Sequence, residues 1–374
     1  MFVFRIRALF YSVCALLLGS PFASAADVNI ADLTVNPADA GHSRDNRETL
    51  SYFGMQLYFD DRDDLLDKAL ELKEESEALE ARSRGFLLIP GDEQDLVAAL
   101  ENLDGAITSL RGELDFVFAG KKDSPAHYAM GTELRGTARF YYDPGDEQRL
   151  RFASITGLFR PLDLESYMDV AGVMHSHFGL NLHYQLEDFG QLEIGVLAKL
   201  QVISLLDRRI DYNDYERGDV FDWGTDIKNT VQPNIDLGLR KQLGRVGLQL
   251  VISDLYTETL RGHNGHRYRQ RSRIQAGFDY RRHWGSLQIM GDVVPRPRFG
   301  EVSSRRDIRA DGSLRLTRRW DLLLGYNDVQ EHYERNTGSA GLRYTLGRSL
   351  RFDIRGTAAG KRELGFQLGL QMPL

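Results

Sequence analysis

Three histidines, His175, His177 and His183, occupy alternate positions of one segment. In an extended chain they share a face, and alternate side chains stand roughly 7 Å apart, near enough for two of them to hold one metal ion. His183 falls about 20 Å further along, and no acidic residue adjoins the group, so a polar wall is the expected role and no metal or cofactor is assigned. The segment Asp207–Asp226 carries Asp207, Asp211, Asp214, Glu216, Asp219, Asp222 and Asp226, which invites calcium. Counted from Asp211, however, Tyr215 and Glu216 stand where a calcium loop needs its fifth ligand and its turn glycine. A solvated acidic loop is the expectation. Residues Arg261–Arg273 (RGHNGHRYRQRSR) form the opposite, a basic loop able to meet the acidic one or lipopolysaccharide phosphates. No G-x-S-x-G, H-E-x-x-H or Gly-rich phosphate-loop motif occurs, so the chain is read as a non-enzyme with no catalytic residues.

What must position these groups is set by the whole chain. Its 374 residues are 42% hydrophobic and 27% charged with a net charge of −7. The mean hydropathy of −0.37 resembles that of a soluble acidic protein. Past the N-terminus no uncharged apolar run approaches the roughly 18 residues that a helix needs to cross a bilayer. The charge gives no reason to expect nucleic acid.

Residues 1–25 read as a secretory signal: Arg5 and Arg7, then apolar Ala8–Leu18, then Ala23-Ser24-Ala25, with cleavage between Ala25 and Ala26. Cleavage would remove both arginines and the single cysteine, Cys14, and leave a mature charge of about −9 with neither disulfides nor thiolate sites. Residues 26–50 are an irregular leader. From Asp61 to about Leu110 the period is helical, first through Leu65, Ala69, Leu72 and Leu79, then through Leu96, Leu100, Leu103, Ile107 and Leu110, which reads as a helical hairpin over 61–110.

Nearly everything else alternates. Phe53, Met55, Leu57 and Phe59 oppose Gly54 and Gln56; Leu364, Phe366, Leu368, Leu370 and Met372 oppose Gly365, Gln367, Gly369 and Gln371. Such strands fit a soluble sandwich or an outer-membrane barrel. Several exceed the 9–11 residues of a tilted membrane strand, and short turns alternate with long polar links such as Leu206–Asn229 and Thr259–Arg267. Both features select the barrel. Counting gives fourteen strands, beginning with Ser51–Asp60, Arg111–Ala119 and Ala126–Tyr141, provided that Arg149–Arg160 is a loop. The even number puts both ends in the periplasm and the helical hairpin in the first outer loop.

Several phrases then resemble the bacterial conjugal-transfer TraF-like outer-membrane family, itself similar to the fatty-acid-transporter (FadL-type) barrels. They are Asp63–Lys68, Ala99–Gly105, Leu237-Gly238-Leu239 with Gln242–Gly244, and Leu364–Leu370. The resemblance implies a fourteen-stranded all-β transmembrane barrel over 51–374, with an N-terminal plug carrying Asn-Pro-Ala, here Asn36, Pro37 and Ala38. It also implies passage of a small, hydrophobic molecule, or else a non-transporting component of a conjugation or cell-surface apparatus. The expected setting is the outer membrane of a Gram-negative bacterium. Expected partners are its lipids and lipopolysaccharide, the barrel-assembly machinery and a small hydrophobic ligand.

On the barrel reading, the polar faces carry His175, His177, His183, Lys199, Asp236, Arg240, Asp279, Arg281, Arg309, Arg315, Arg351 and Arg355 into the lumen. Mixed signs at that density favour ion pairs and a narrow or plugged interior over an open pore.

Overall fold

The computed structural model describes residues 36–39, 50–85, 91, 93–120, 126–156, 164–186, 192–211, 222, 224–330, 335–347, 350–360 and 362–373. The signal segment, its Ala25–Ala26 cleavage point, most of the leader, and Asp214, Glu216 and Asp219 of the acidic loop lie outside them.

Chain order is β1 (Leu50–Asp60), α1 (Leu65–Gly85), α2 (Gln94–Leu103), β2 (Ile107–Ala119), β3 (Ala126–Tyr141), α3 (Gly145–Thr156), β4 (Tyr167–Leu186), β5 (Leu192–Asp211), β6 (Ile227–Leu243) and β7 (Val246–Ser253). There follow β8 (Thr259–Arg261), β9 (Arg267–Arg269), β10 (Arg273–Arg282), β11 (Gly285–Asp292), β12 (Arg306–Arg315), β13 (Trp320–Gln330), β14 (Thr337–Leu346), β15 (Leu350–Ala358) and β16 (Glu363–Pro373). Among the described residues fourteen strands, all but β8 and β9, form a closed antiparallel barrel. It is sealed by β1 against β16 in register from Leu50↔Pro373 to Asp60↔Glu363. Closure leaves no strand edge with unpaired backbone groups, which a bilayer would not tolerate.

The period-2 pattern sorts the side chains. Phe53 pairs with Leu370 and Leu57 with Phe366 on the outer face, whereas Gln56 pairs with Gln367 and Gly54 with Gly369 on the inner one. Around the barrel the outer face exposes Leu114, Phe178, Leu182, Ile235, Phe278, Leu342 and Ile354. An apolar belt of that kind belongs in lipid, where each such side chain is worth about 1.5–3 kcal/mol. At the end carrying the short turns, Tyr128, Tyr184, Trp320 and Tyr344 are placed on this face, and Trp320 packs on Tyr344 with ring centroids 4.7 Å apart. Aromatics at that level form the girdle of a membrane interface.

Both termini of the barrel lie at the short-turn end, and the helices lie at the other, outer end. There Leu65, Leu72 and Leu79 of α1, Leu96, Ala99, Leu100 and Leu103 of α2, Leu150 of α3, and Phe140 build a small core. The helical period stops earlier than the sequence suggests. Ile107 and Leu110 belong to β2, where Leu110 pairs with Phe59 and the Thr108 hydroxyl donates to the Asp60 carbonyl at 2.9 Å. The free edge of β1 offers backbone partners that a short helix cannot match, so the hairpin insertion ends at Leu103 and β2 starts four residues before Arg111. The doubtful stretch 149–160 is neither strand nor irregular through Thr156: it lies in α3, and the barrel count is unaffected. Asp146 at its start accepts from the Glu165 and Ser166 amides at 2.9 and 2.8 Å, tying the helix to the root of β4. The link Leu206–Asn229 is also shorter than expected, because β5 runs to Asp211 and β6 begins at Ile227. The link Thr259–Arg267 contains most of the small β8–β9 ribbon.

Candidate functional site

The two tallest strands, β4 and β5, pair over 20 positions. Together with β6 they carry the segments that fold into the lumen at its two ends.

At the short-turn end, Asn36–Asp39 form one short turn inside the barrel. Asn36 Oδ1 accepts from the Ala38 amide at 2.9 Å, and the Asn36 carbonyl accepts from the Asp39 amide at 3.0 Å. Asn181 of β4 donates Nδ2 to the Pro37 carbonyl at 3.0 Å. Beneath the turn lie Gly195 of β5 and Gly238 of β6. A Cβ at either would sit 2.1 Å from the Pro37 carbonyl carbon or 2.2 Å from Asn36 Oδ1, so only glycine admits the turn. Asp39 is fixed by Arg240 of β6, whose other amino group holds both oxygens of Asp279 on β10 at 2.6 and 2.7 Å. All three side chains are at most 3% exposed.

At the outer end the β8–β9 ribbon and the segment 293–305 fold inward over the inner face of β4 and β5. Leu260, Tyr268, Phe299 and Val302 pack on Ala171, Val173, Ile203 and Leu205. Polar bonds anchor them. Tyr268 Oη lies 2.8 Å from His175 Nε2, and Gln270 Nε2 donates to Gln201 Oε1 at 3.0 Å. Asp207 accepts from His266 and from the Asn264 amide at 2.7 and 3.1 Å. Arg296 pairs with Glu133 and stands 3.5 Å from both Asp292 and Asp307.

Between floor and roof lies a cavity of about 420 Å³ whose wall is mostly polar. His175 and His177 are in that wall, His177 above Gly131, while His183 is deeper and close to His127. Lys199 bridges Asp236 and Asp254, each at 2.8 Å. Asp254 reaches it by taking a positive φ of 58°, which aspartate tolerates. Arg309 and Arg355 share Asp311, the latter at 2.7 Å, and Arg343 meets its register partner Asp353 at 2.6 Å. A smaller void nearer the short-turn end is lined by Asp279, Arg281, Arg315 and Arg351, with Arg281 on Asp279 at 2.9 Å and Arg315 3.8 Å from Asp321. Among the described residues no group of three metal-ligating side chains comes together. Sequence reasoning stopped at Ala38 and missed Asp39, the next residue, although its charge matches Arg240. It also missed Gly195, Gly238, Asn181 and Tyr268, whose roles depend on a fold-back that no local period encodes.

A sequence model of the family described as "F plasmid transfer operon, TraF, protein" matches residues 33–293. Among solved structures, the CymD monoaromatic hydrocarbon channel superposes with a TM-score of 0.50 at 8% identity, covering 94% of this chain and 95% of that one. The Pseudomonas putida toluene transporter TodX gives 0.46 at 11% identity, covering 93% of each. At 8% identity the likeness to CymD is one of fold. No curated protein matches the chain.

Proposed function

The chain belongs to the TraF protein family of the F plasmid transfer operon, and from that premise we propose that it is an outer-membrane channel for small solutes, shut by its own N-terminal turn. The observation that carries this reading is the cavity of about 420 Å³ that lies between Pro37 of the floor and Arg296 of the roof inside a barrel with an apolar outer belt. A purely structural barrel has no need of a wet chamber at its centre. The same belt supports residence in the outer membrane, residues 1–25 support export by a cleaved signal, and the reading assigns no catalysis. The similar folds of CymD and TodX are named for hydrocarbons, but the wall here is charged and amide-rich, so a polar solute fits it better than the hydrophobic one implied by the family resemblance.

The test is planar-bilayer conductance of the purified barrel against a variant lacking residues 26–49, after heat-modifiable migration has shown both to be folded. The variant should conduct and the intact protein should open seldom. Equal conductance removes the plug, and silence from both removes the channel.

A second reading is favoured by the outer cap, where Leu66, Leu70, Phe152 and Ile155 are 48–73% exposed. On that reading the α1–α2 hairpin and α3 meet another component of a transfer apparatus. Replacing 62–104 by a short turn should then lower mating frequency without touching conductance.

A further inference from the structure

Two carboxylates in the cavity wall, Glu113 and Asp115 on β2, make no hydrogen bond or ion pair with any described residue. Glu133, Asp236, Asp307, Asp311 and Asp353 of the same wall are each held by an arginine or a lysine. The register of β2 on β3 surrounds the pair with further polar groups of the wall. Register sets Glu113 opposite Glu133 on β3, and like charges in opposed positions destabilise a sheet. Asp115 lies opposite Gly131, where the missing Cβ leaves room for its own carboxylate and the His177 ring. A side chain that only filled the wall would be better as an amide.

The wall across the cavity has the reverse character. Arg309 of β12 and Arg355 of β15 converge on the single carboxylate of Asp311, so that side holds more guanidinium charge than it neutralises. Arg309 and the β2 carboxylates act on one another through space without touching. The chamber thus carries two carboxylates without a bonded cation on β2 and two guanidiniums on one carboxylate at β12 and β15, an uneven charge that would line up a dipolar guest.

We infer that the cavity receives a small zwitterion, its ammonium end toward Glu113 and Asp115 and its carboxylate end toward Arg309 and Arg355. Three features carry the assignment: the unmet acceptors on β2, the shared carboxylate on the opposite wall, and a volume suited to a solute of amino-acid size. An uncharged solute would leave both walls unmet, and a simple cation would leave the arginine side so. Passage of the zwitterion rests on the channel reading; its binding does not.

The inference is tested by binding to the intact, detergent-solubilised barrel, titrated with four probes of one size: alanine, lactate, 1-amino-2-propanol and 1,2-propanediol. Alanine should bind best. In E113Q/D115N it should lose about tenfold or more of its affinity, the scale of a charge-assisted hydrogen bond, with lactate unchanged. In R309Q both alanine and lactate should weaken. Folding of each variant is checked by heat-modifiable migration, and the double variant should be no less heat-resistant than the parent because it removes repulsion. The inference falls if alanine binds no better than the diol, if the aminoalcohol or calcium chloride alone binds as well as alanine, or if E113Q/D115N keeps the alanine site. Alanine binding with no conductance in any variant would instead remove the channel reading and leave this one standing.

Discussion

Gly195 on β5 and Gly238 on β6 are register partners, and the Asn36-Pro37-Ala38 turn lies across both. Neither has a positive φ, so alanine suits the backbone at each position and acts only through its methyl. At Gly238 that methyl would fall 2.2 Å from Asn36 Oδ1. G238A and G195A should therefore leave the barrel folded, with unchanged heat-modifiable migration, and expel the floor. Expulsion is read as raised bilayer conductance and as new protease cleavage near Asn36 from the periplasmic side. Parental conductance in both variants would show that the turn does not obstruct the lumen.

Arg240 should matter more to stability than Asp39, although they bond to each other. Removing the guanidinium breaks a buried ion pair with Asp39 and both bonds to Asp279, and breaking a buried pair from one side costs about 3–5 kcal/mol. Asp279 is still met by Arg281 in that case. Replacing Asp39 by Asn leaves Arg240 on both oxygens of Asp279, so the loss should be nearer about 1–3 kcal/mol. Urea unfolding of R240A and D39N in lipid vesicles should give that order; the reverse would place the Asp39 contact at the centre of the network.

Asp226, in the link before β6, gives a pH effect of definite sign. Burial raises its pKa, but hydrogen bonds from the Asp222 amide and from Arg208 outweigh burial, and the net shift is downward from 3.8. A carboxyl with a depressed pKa stabilises the folded form above its unfolded pKa and loses that contribution as pH falls through the folded one. Amide hydrogen exchange at Gly224–Asp226, corrected for its intrinsic pH dependence, should be slow near neutral pH and quicken well below pH 3.8, while D226N should be fast at both. Protection in D226N equal to the parent's would mean that the link is held by something else.

How far this arrangement could be read from the residues depends on the range of the force involved. Alternation in Leu364–Met372 fixes which face meets lipid because the strand period is 2, and the same rule carries His175, Lys199 and Arg355 inward. Leu96, Leu100 and Leu103 announce α2 by their spacing. Ile107 and Leu110 continue that spacing yet sit in β2, because pairing with Arg139 and Phe59 is a tertiary choice that local periodicity does not contain. Tyr268 and Phe299 are harder still. They look like loop aromatics until the β8–β9 ribbon folds back on Val173 and Ile203 more than fifty residues away. Glu113 and Asp115 alternate on β2, but nothing in the sequence singles them out, and that no described residue bonds to them emerges only when the barrel is closed.

Leu368 and Gln367 are neighbours on β16 that face opposite solvents, which allows the membrane assignment to be tested by a single exchange. Leu368 is in register with Met55 and Ile354 and is 37% exposed on the apolar belt; Gln367 faces Gln56 and Arg355 across the inner surface. An arginine at the lipid face near the bilayer midplane costs about 2–4 kcal/mol, whereas one in a wet lumen is solvated. L368R should therefore fold poorly into vesicles and L368F nearly normally. Q367R should insert with little loss, even though it adds the same charge to the same strand. A soluble sandwich would rank the two substitutions in the same order, because there the Leu368 face would be packed on a second sheet and the Gln367 face would be in water, but neither it nor its variants would insert into vesicles. If L368R and Q367R insert equally well, the outer belt does not meet lipid and the barrel does not span a membrane.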